Sequence, residues 1–192
     1  MTARREPGGL PAPGARQRAR EARADRGILI LGIDPGSRHT GYGAVFKDGP
    51  ALRAVEAGTL SSPAREPLPR RLAELARQLG EVVDRLRPAT AVLESPVHGL
   101  HPRSLIVLAQ ARGALLATLA ARGIEIREFT PAEVKSAVAG NGRAGKDEVA
   151  RMVRLLTSFR EECSEDATDA LAVAVCCAQR MRWDRIATDF GT

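Results

Sequence analysis

The chain is poor in aromatic residues, cysteine and lysine. Only six of its 192 residues are Phe, Tyr or Trp, so aliphatic side chains must supply the core. The three cysteines, Cys163, Cys176 and Cys177, are odd in number and lack CxxC spacing, so neither a zinc site nor a disulfide framework is indicated. The N-terminus lacks the apolar segment of a secretory signal, and we expect no apolar stretch of the ~18 residues that span a membrane. This composition favours a reduced, cytoplasmic protein.

The net charge of +6 is unevenly distributed along the chain. Residues 1–27 hold seven arginines and three acids, which leaves 22 basic and 20 acidic residues for the remainder. We expect residues 1–26 to be a disordered basic tail, because large apolar residues are almost absent there, and residues 27–192 to form a single domain. Between Lys135 and Arg154 five basic residues face two acidic ones, a patch suited to phosphate groups.

Hydrophobic periodicity predicts a mixed α/β fold. "GILILGID" and "TAVLES" are apolar runs typical of strands buried on both faces, and "TGYGAVF" and "ALRAVEAGTL" follow the first at hairpin spacing. Apolar residues recur every three or four positions from Pro67 to Leu86, which indicates a helix. The predicted order is β-β-β-α-β-α-β-α-α-α, and the last helix is predicted to run from about Ser164 through Met181. It implies a five-stranded sheet, with three antiparallel strands and then parallel ones, and helices on both faces.

Two acidic residues lie where buried strands end. Asp34 follows "ILILGI" and Glu94 ends "TAVLE". Open α/β sheets place their sites at the carboxyl ends of such strands. Asp-Pro-Gly is also ordinary turn chemistry, so Asp34 alone could be a turn residue. A fourth strand reached by a helical crossover would lie beside the first and bring Glu94 close to Asp34.

A second acidic pair, Asp166 and Asp169, lies one helical turn apart in "SEDATDALAVAVCC". One interpretation is helix capping, with Asp166 as the N-cap and Asp169 in the first turn. That interpretation leaves unexplained why the helix behind these acids is so apolar. A helix packed closely on the sheet would instead hold both carboxylates against the strand ends, where all four acids could converge.

Clustered carboxylates repel each other and need compensation by a positive group. Carboxylate oxygens suit Mg²⁺ or Mn²⁺, and no set of Cys and His competes for zinc. Two such ions a few ångströms apart are a known device for phosphodiester hydrolysis. We therefore expect two Mg²⁺ or Mn²⁺ ions, bound by the four acids.

Four segments in register, "LGIDPGSRHTGYG", "LAQARGALLA", "PAEVKSAVAGNGRAGKDEVARMV" and "DATDALAVA", resemble the RuvC family of bacterial Holliday-junction resolvases in the ribonuclease H-like superfamily. The resemblance covers roughly residues 28–180. It implies a structure-specific endonuclease that resolves four-way junctions in recombination and repair. Such an enzyme nicks two opposing strands symmetrically and leaves ligatable 5′-phosphate and 3′-hydroxyl ends. It also implies a homodimer, co-operation with the RuvA–RuvB branch-migration complex, and preferred cutting at a short thymine-containing sequence.

The resemblance also implies roles for individual residues. Asp34, Glu94, Asp166 and Asp169 match the metal-binding acids of the family, and Lys135 and Lys146 match basic residues near the scissile phosphate. We count Lys146 among the catalytic residues. Further DNA contacts are predicted for Arg143, Arg112, His98 and Arg103, although Arg112 could equally form a buried ion pair.

The segment "ESPVHGLHPRS" departs from the family pattern. Relatives tend to carry an aromatic residue soon after the strand-four Glu, whereas this chain has Val97, His98 and Leu100 there. His98 or Leu100 could stack or wedge into the opened junction instead.

Three alternative assignments of the chain are disfavoured. "GNGRAGKD" has Asp147 where a phosphate-binding P-loop needs Ser or Thr. A smaller YqgF-type nuclease would not account for the Asp-x-x-Asp pair, and a binding module without catalysis gains nothing from four acids near phosphates.

Overall fold

The computed structural model describes the backbone of residues 27–95 and 102–190, and the side chains of these residues up to 181. The order of elements in this part of the chain confirms the predicted one. The strands are β1 (Ile28–Asp34), β2 (His39–Asp48), β3 (Ala51–Ser61), β4 (Thr90–Glu94) and β5 (Glu125–Phe129). The helices are α1 (Leu68–Leu86), α2 (Pro102–Ala120), α3 (Pro131–Ala139), α4 (Lys146–Thr157) and α5 (Glu165–Phe190).

The five strands form one mixed sheet in the order β3-β2-β1-β4-β5. β2 pairs antiparallel with both β1 and β3, whereas β4 pairs parallel with β1 and β5. The register sets Ile33 opposite Leu93, so β1 and β4 end side by side. We call the edge at which β1, β4 and β5 end the carboxyl edge.

Helices cover both faces of the sheet, as the sequence predicts. α1 buries Leu75, Leu79 and Val83 on one face, where they pack with residues of α2. This spacing of four is the helical period that the sequence shows. On the other face α3 and α4 pack around α5. Every residue of α5 from Ala170 to Ala178 is buried, which is expected of a helix that is apolar on all sides.

Two expectations from the sequence need correction. α2 is a helix of 19 residues that is long and apolar enough to cross a membrane, judged by length and composition only. This is weak evidence for a membrane span, because α2 packs on α1 and β5 and carries Arg103 and Arg112. The last helix continues to Phe190, beyond the end near Met181 that we expected.

Candidate active site

Asp34 and Glu94 lie next to each other at the carboxyl edge. Each is the last residue of its strand, one position beyond the paired residues Ile33 and Leu93. Both strands are almost fully buried up to that point, so only their ends reach solvent. The parallel pairing of β1 with β4 therefore brings together two carboxylates that are 60 positions apart in the sequence.

α5 reaches the same edge because glycines let it lie directly on the sheet. A Cβ at Gly41 would overlap the carbonyl oxygen of Asp166, and one at Gly32 would overlap the carbonyl oxygen of Ala170. Gly43 likewise faces Leu171 of α5. Backbone thus packs on backbone, and the first turn of α5 is held beside the end of β1, which pairs Asp34 with Gly41.

The N-terminus of α5 is capped by Ser164, which corrects the capping interpretation of Asp166. The Ser164 Oγ accepts a hydrogen bond from the amide of Ala167 at 3.2 Å. It also lies 2.6 Å from the Thr59 Oγ1 at the end of β3, which ties the helix to the sheet. Because Ser164 satisfies the helix end, Asp166 lies inside the first turn and its carboxylate is not needed as the cap.

The four acids act on one another electrostatically. The pKa of Asp34 is raised from 3.8 to about 7, mainly by burial and then by the charges of Asp169, Asp166 and Glu94. Burial and the charge of Asp169 likewise raise the pKa of Glu94. Burial, with Glu165 and Asp166, raises that of Asp169. The carboxyl edge is therefore a place where negative charge is crowded and under-compensated.

Two lysines lie close to these acids. Lys146, the first residue of α4, forms an ion pair with Glu165 and lies 3.8 Å from Asp169. The pKa of Lys146 is raised mainly by its hydrogen bond with Glu165, then by the charge of Asp169, and least by that of Asp34. Its partial burial opposes this rise. Lys135 of α3 acts on Glu94 and opposes the rise of its pKa. A capping box between Thr130 and Glu133 fixes the start of α3. Lys146 thus lies 3.8 Å from one of the four acids, and Lys135 is near enough to Glu94 to act on its charge.

Arg112 is a structural residue, and its predicted DNA contact needs correction. Its side chain is only 8% exposed. Its Nη1 donates a hydrogen bond of 2.6 Å to the carbonyl oxygen of Glu94, and its Nη2 lies 2.8 Å from the Glu128 Oε1 without forming a well-aligned hydrogen bond. The alternative interpretation, an ion pair, is therefore the one that the structure supports, with Arg112 buried and Glu128 44% exposed. Through it α2 holds the backbone of Glu94 in place.

The other predicted DNA contacts are more loosely placed. Arg143 is exposed in the loop between α3 and α4, where its amide donates to the Asn141 Oδ1. Arg103 is exposed at the start of α2. His98, with its neighbours Val97 and Leu100, lies outside the described residues, so the expected substitute for the aromatic wedge has no structural account.

The donor set at the carboxyl edge fits a hard divalent cation. Among the side chains that the structure describes, no group of three or more Asp, Glu, His or Cys residues is arranged to hold a metal ion. The four acids therefore affect one another electrostatically, but their carboxylates are not arranged as the ligands of a metal ion. Only oxygen donors occur among them, and such donors suit Mg²⁺ or Mn²⁺. The raised pKa values show that a positive charge is favoured there.

The glycines and Ser164 are the site-building residues that sequence reasoning missed. Gly41 and Gly43 alternate in "TGYGAVF", so both face the same side of β2. Gly43 pairs with Gly32 across β1. Three glycines on one face of two adjacent strands leave a surface without side chains, on which a helix can pack closely. The spacing of these glycines was the sequence signal that could have predicted the helix contact.

Comparisons with known proteins agree with this architecture. The family model of the crossover junction endodeoxyribonuclease RuvC matches residues 30–177. RuvC from Anaeromyxobacter sp. (strain K) is 46% identical over 149 residues, which cover 78% of this chain and 80% of that protein. The structure of Thermus thermophilus RuvC in complex with a Holliday junction substrate superposes with a TM-score of 0.77 at 30% identity, covering 82% of this chain and 96% of that one.

A more distant structure shows the fold alone. The yeast mitochondrial Holliday junction resolvase Ydc2 is 15% identical and has a TM-score of 0.60, over 84% of this chain and 80% of its own. The fold is of the ribonuclease H-like type, with this sheet order and with helices on both faces. The chain belongs to the RuvC family of crossover junction endodeoxyribonucleases.

Proposed function

We propose that this protein resolves Holliday junctions in recombination and repair by nicking two opposing strands symmetrically. The products would be ligatable 5′-phosphate and 3′-hydroxyl ends. Family membership supports this activity, and metal-dependent cleavage is the general behaviour of the family. The observation that carries the proposal to this chain is the crowding of four carboxylates at the end of β1, where burial and then the charges of the other three acids raise the pKa of Asp34 to about 7.

Asp34, Glu94, Asp166 and Asp169 are proposed to hold two divalent ions, Mg²⁺ or Mn²⁺. When bound, such ions activate the attacking water and stabilise the negative charge that develops on the phosphate and the leaving 3′ oxygen. The protein contributes rigidity. β1 is buried from Ile30 to Ile33, directly before Asp34. α2 holds the backbone of Glu94 through Arg112, and the backbone of Asp166 packs on Gly41.

The lysines are proposed to bind and orient the scissile phosphate. Lys146 is 70% exposed although it pairs with Glu165, and an ion pair this exposed is weak because water screens it. A DNA phosphate can therefore replace Glu165 as the partner of the Lys146 ammonium at little cost. Lys135 lies near Glu94, and Arg143 on the neighbouring loop is proposed to add a further backbone contact. Arg103, at the start of α2, is proposed to contact the junction as well.

The protein is proposed to act as a homodimer, with residues 27–192 as one nuclease domain in the cytoplasm, together with a RuvA–RuvB branch-migration complex. Two active sites related by symmetry would explain paired nicks. Leu105 and Ile106, on the first turns of α2, are 41% and 59% exposed and offer an apolar surface for such a contact. Analytical ultracentrifugation of wild-type protein and an Ile106→Asp variant tests the dimer.

The deciding experiment is cleavage of a labelled four-way junction that can branch-migrate, with Mg²⁺, Mn²⁺ or EDTA. A linear duplex and an RNA–DNA hybrid serve as competing substrates. We expect paired nicks in opposing strands, dependent on metal, whose products a ligase can seal. Cleavage of the hybrid in preference to the junction would keep the metal chemistry and refute the substrate. Junction binding without nicks in either metal would refute the catalytic assignment.

A further inference from the structure

The loop that follows Asp34 is anchored on two sides. Arg71 of α1 donates to the Ser37 carbonyl oxygen, at 3.1 Å from Nε and 2.7 Å from Nη2, and to the Ser37 Oγ at 3.0 Å. The amide of Ser62, just beyond β3, donates to the Arg38 carbonyl oxygen at 3.0 Å. The β1–β2 loop (residues 35–38) and the β3–α1 loop (residues 62–67) are thus tied into one unit, which we call the loop surface.

Two arginines on the loop surface are exposed and unpaired. Within the described residues, neither Arg38 nor Arg65 has an ion pair or a side-chain hydrogen bond. Two nearby arginines do have partners: Arg70 forms an ion pair with Glu66, and Arg71 donates hydrogen bonds to Ser37. The loop surface therefore presents two free guanidinium groups on an anchored backbone, and its own acid, Glu66, is already engaged. A guanidinium of this kind is well suited to bind phosphate.

The loop surface lies on the side of the acids away from Lys135. Asp34 pairs with Gly41 of β2, and β2 continues to β3, so residues 35–38 and 62–67 flank the β2–β3 half of the carboxyl edge. Lys135 acts on Glu94 at the end of β4, in the other half. Positively charged side chains therefore flank the four acids on both sides. A DNA strand that crosses the site would pass one group of cations on entry and the other on exit.

We propose that Arg38 and Arg65 form a second phosphate-binding surface, which holds the DNA backbone on the β2–β3 side of the acidic centre. This inference rests on the proposed function, because it takes the four acids as the place where a phosphodiester is cut. The partner is the phosphate backbone, so the contacts carry no base information directly. They set the register of the strand relative to Asp34 and add to the salt dependence of binding.

The test is the salt dependence of junction binding, measured with the full chain and a labelled four-way junction in EDTA. The variant is Arg38→Gln with Arg65→Gln. Each lost phosphate contact should reduce the slope of log K against log salt by about 1, so the pair should reduce it by about 2. The matched control is Arg53→Gln with Arg87→Gln. It removes the same charge from two exposed arginines at the opposite edge of the sheet and should leave the slope unchanged.

The outcomes separate the two proposals. A wild-type slope in the loop variant, or an equal loss of slope in both double variants, overturns the loop surface and leaves the resolvase assignment intact. If the wild-type chain itself fails to bind the junction at any salt concentration, the proposed function and this inference fail together. Among the described residues none of the four arginines has an ion pair to lose. The exposed contact of Arg53 with the Phe46 ring, 5.8 Å to its centroid, is weak because water screens it, so both variants should unfold near the wild-type urea midpoint.

Discussion

Replacing Asp34 by asparagine removes a carboxyl group that the fold itself destabilises when it is ionised. The pKa of Asp34 lies near 7 in the folded protein, against an ordinary value of 3.8, because the group is buried and faces three other acids. The folded state therefore binds this proton more tightly than the unfolded chain does. Stability is lost as the pH rises from the unfolded pKa through the folded one, and above the folded pKa the loss is complete.

The size of the effect follows from the shift. About 3 pKa units at ~1.4 kcal/mol each set an upper bound of about 4 kcal/mol. We expect roughly half of this, on the order of 2 kcal/mol, because the carboxyl group is partly hydrated and its neighbours can relax. The amide side chain of the variant cannot ionise. The advantage of Asp34→Asn over wild type in free energy of unfolding should thus grow between about pH 4 and about pH 8.

The assay is urea unfolding in EDTA across that pH range, with Asp48→Asn as control because Asp48 is exposed at the far end of β2. Addition of Mg²⁺ should stabilise the wild type more than the variant, since the variant lacks one ligand. The same variant should lose cleavage while retaining junction binding. A stability difference that does not change with pH would refute the account of crowded charge at the carboxyl edge. Equal loss of binding and cleavage would refute the role of Asp34.

Three further substitutions test how the site is built. Gly41→Ala should lower cleavage at least tenfold by displacing the start of α5. The control Gly113→Ala, at an open position in α2, should be active and up to ~1 kcal/mol more stable than wild type. Wild-type cleavage by Gly41→Ala would contradict the packing of α5 on the glycines. Arg112→Met should cost about 2 kcal/mol in urea unfolding, because the carbonyl oxygen of Glu94 loses its donor while the half-exposed Glu128 can turn to water. A cost below about 0.5 kcal/mol would count against its structural role. Lys146→Ala should slow single-turnover cleavage more than it weakens binding, and the reverse would make the residue a docking contact only.

Much of the fold could be predicted because its strands and helices follow simple periodicities. The runs that became β1 and β4 are apolar on both faces, and the spacing of Leu75, Leu79 and Val83 is helical. The crossover rule then placed Glu94 beside Asp34. These predictions depend on local pattern and chain connectivity, and both are written in one sequence.

What could not be predicted depends on contacts between distant segments. The burial of Arg112 depends on Glu128 of β5 and on a backbone oxygen of β4, and no local pattern reports either. Ser164 caps α5 in place of Asp166, because the helix begins at Glu165, two residues earlier than an N-cap at Asp166 would imply. The loop that bears His98 lies outside the described residues.

The contact of α5 with glycine also determines which half of the site can change shape. Amide hydrogens of β1, β2 and the buried part of α5 share one packed unit, so they should exchange with solvent only through the most global openings. Lys146 begins an exposed helix end, and Arg143 lies on the loop before it, where local opening costs far less. The start of α5 is tied to this packed unit where the carbonyl oxygen of Asp166 meets Gly41, while the groups proposed to bind DNA lie in a part that opens more readily. Adjustment to a branched substrate can then occur at the lysine and arginine side without disturbing the spacing of the acids.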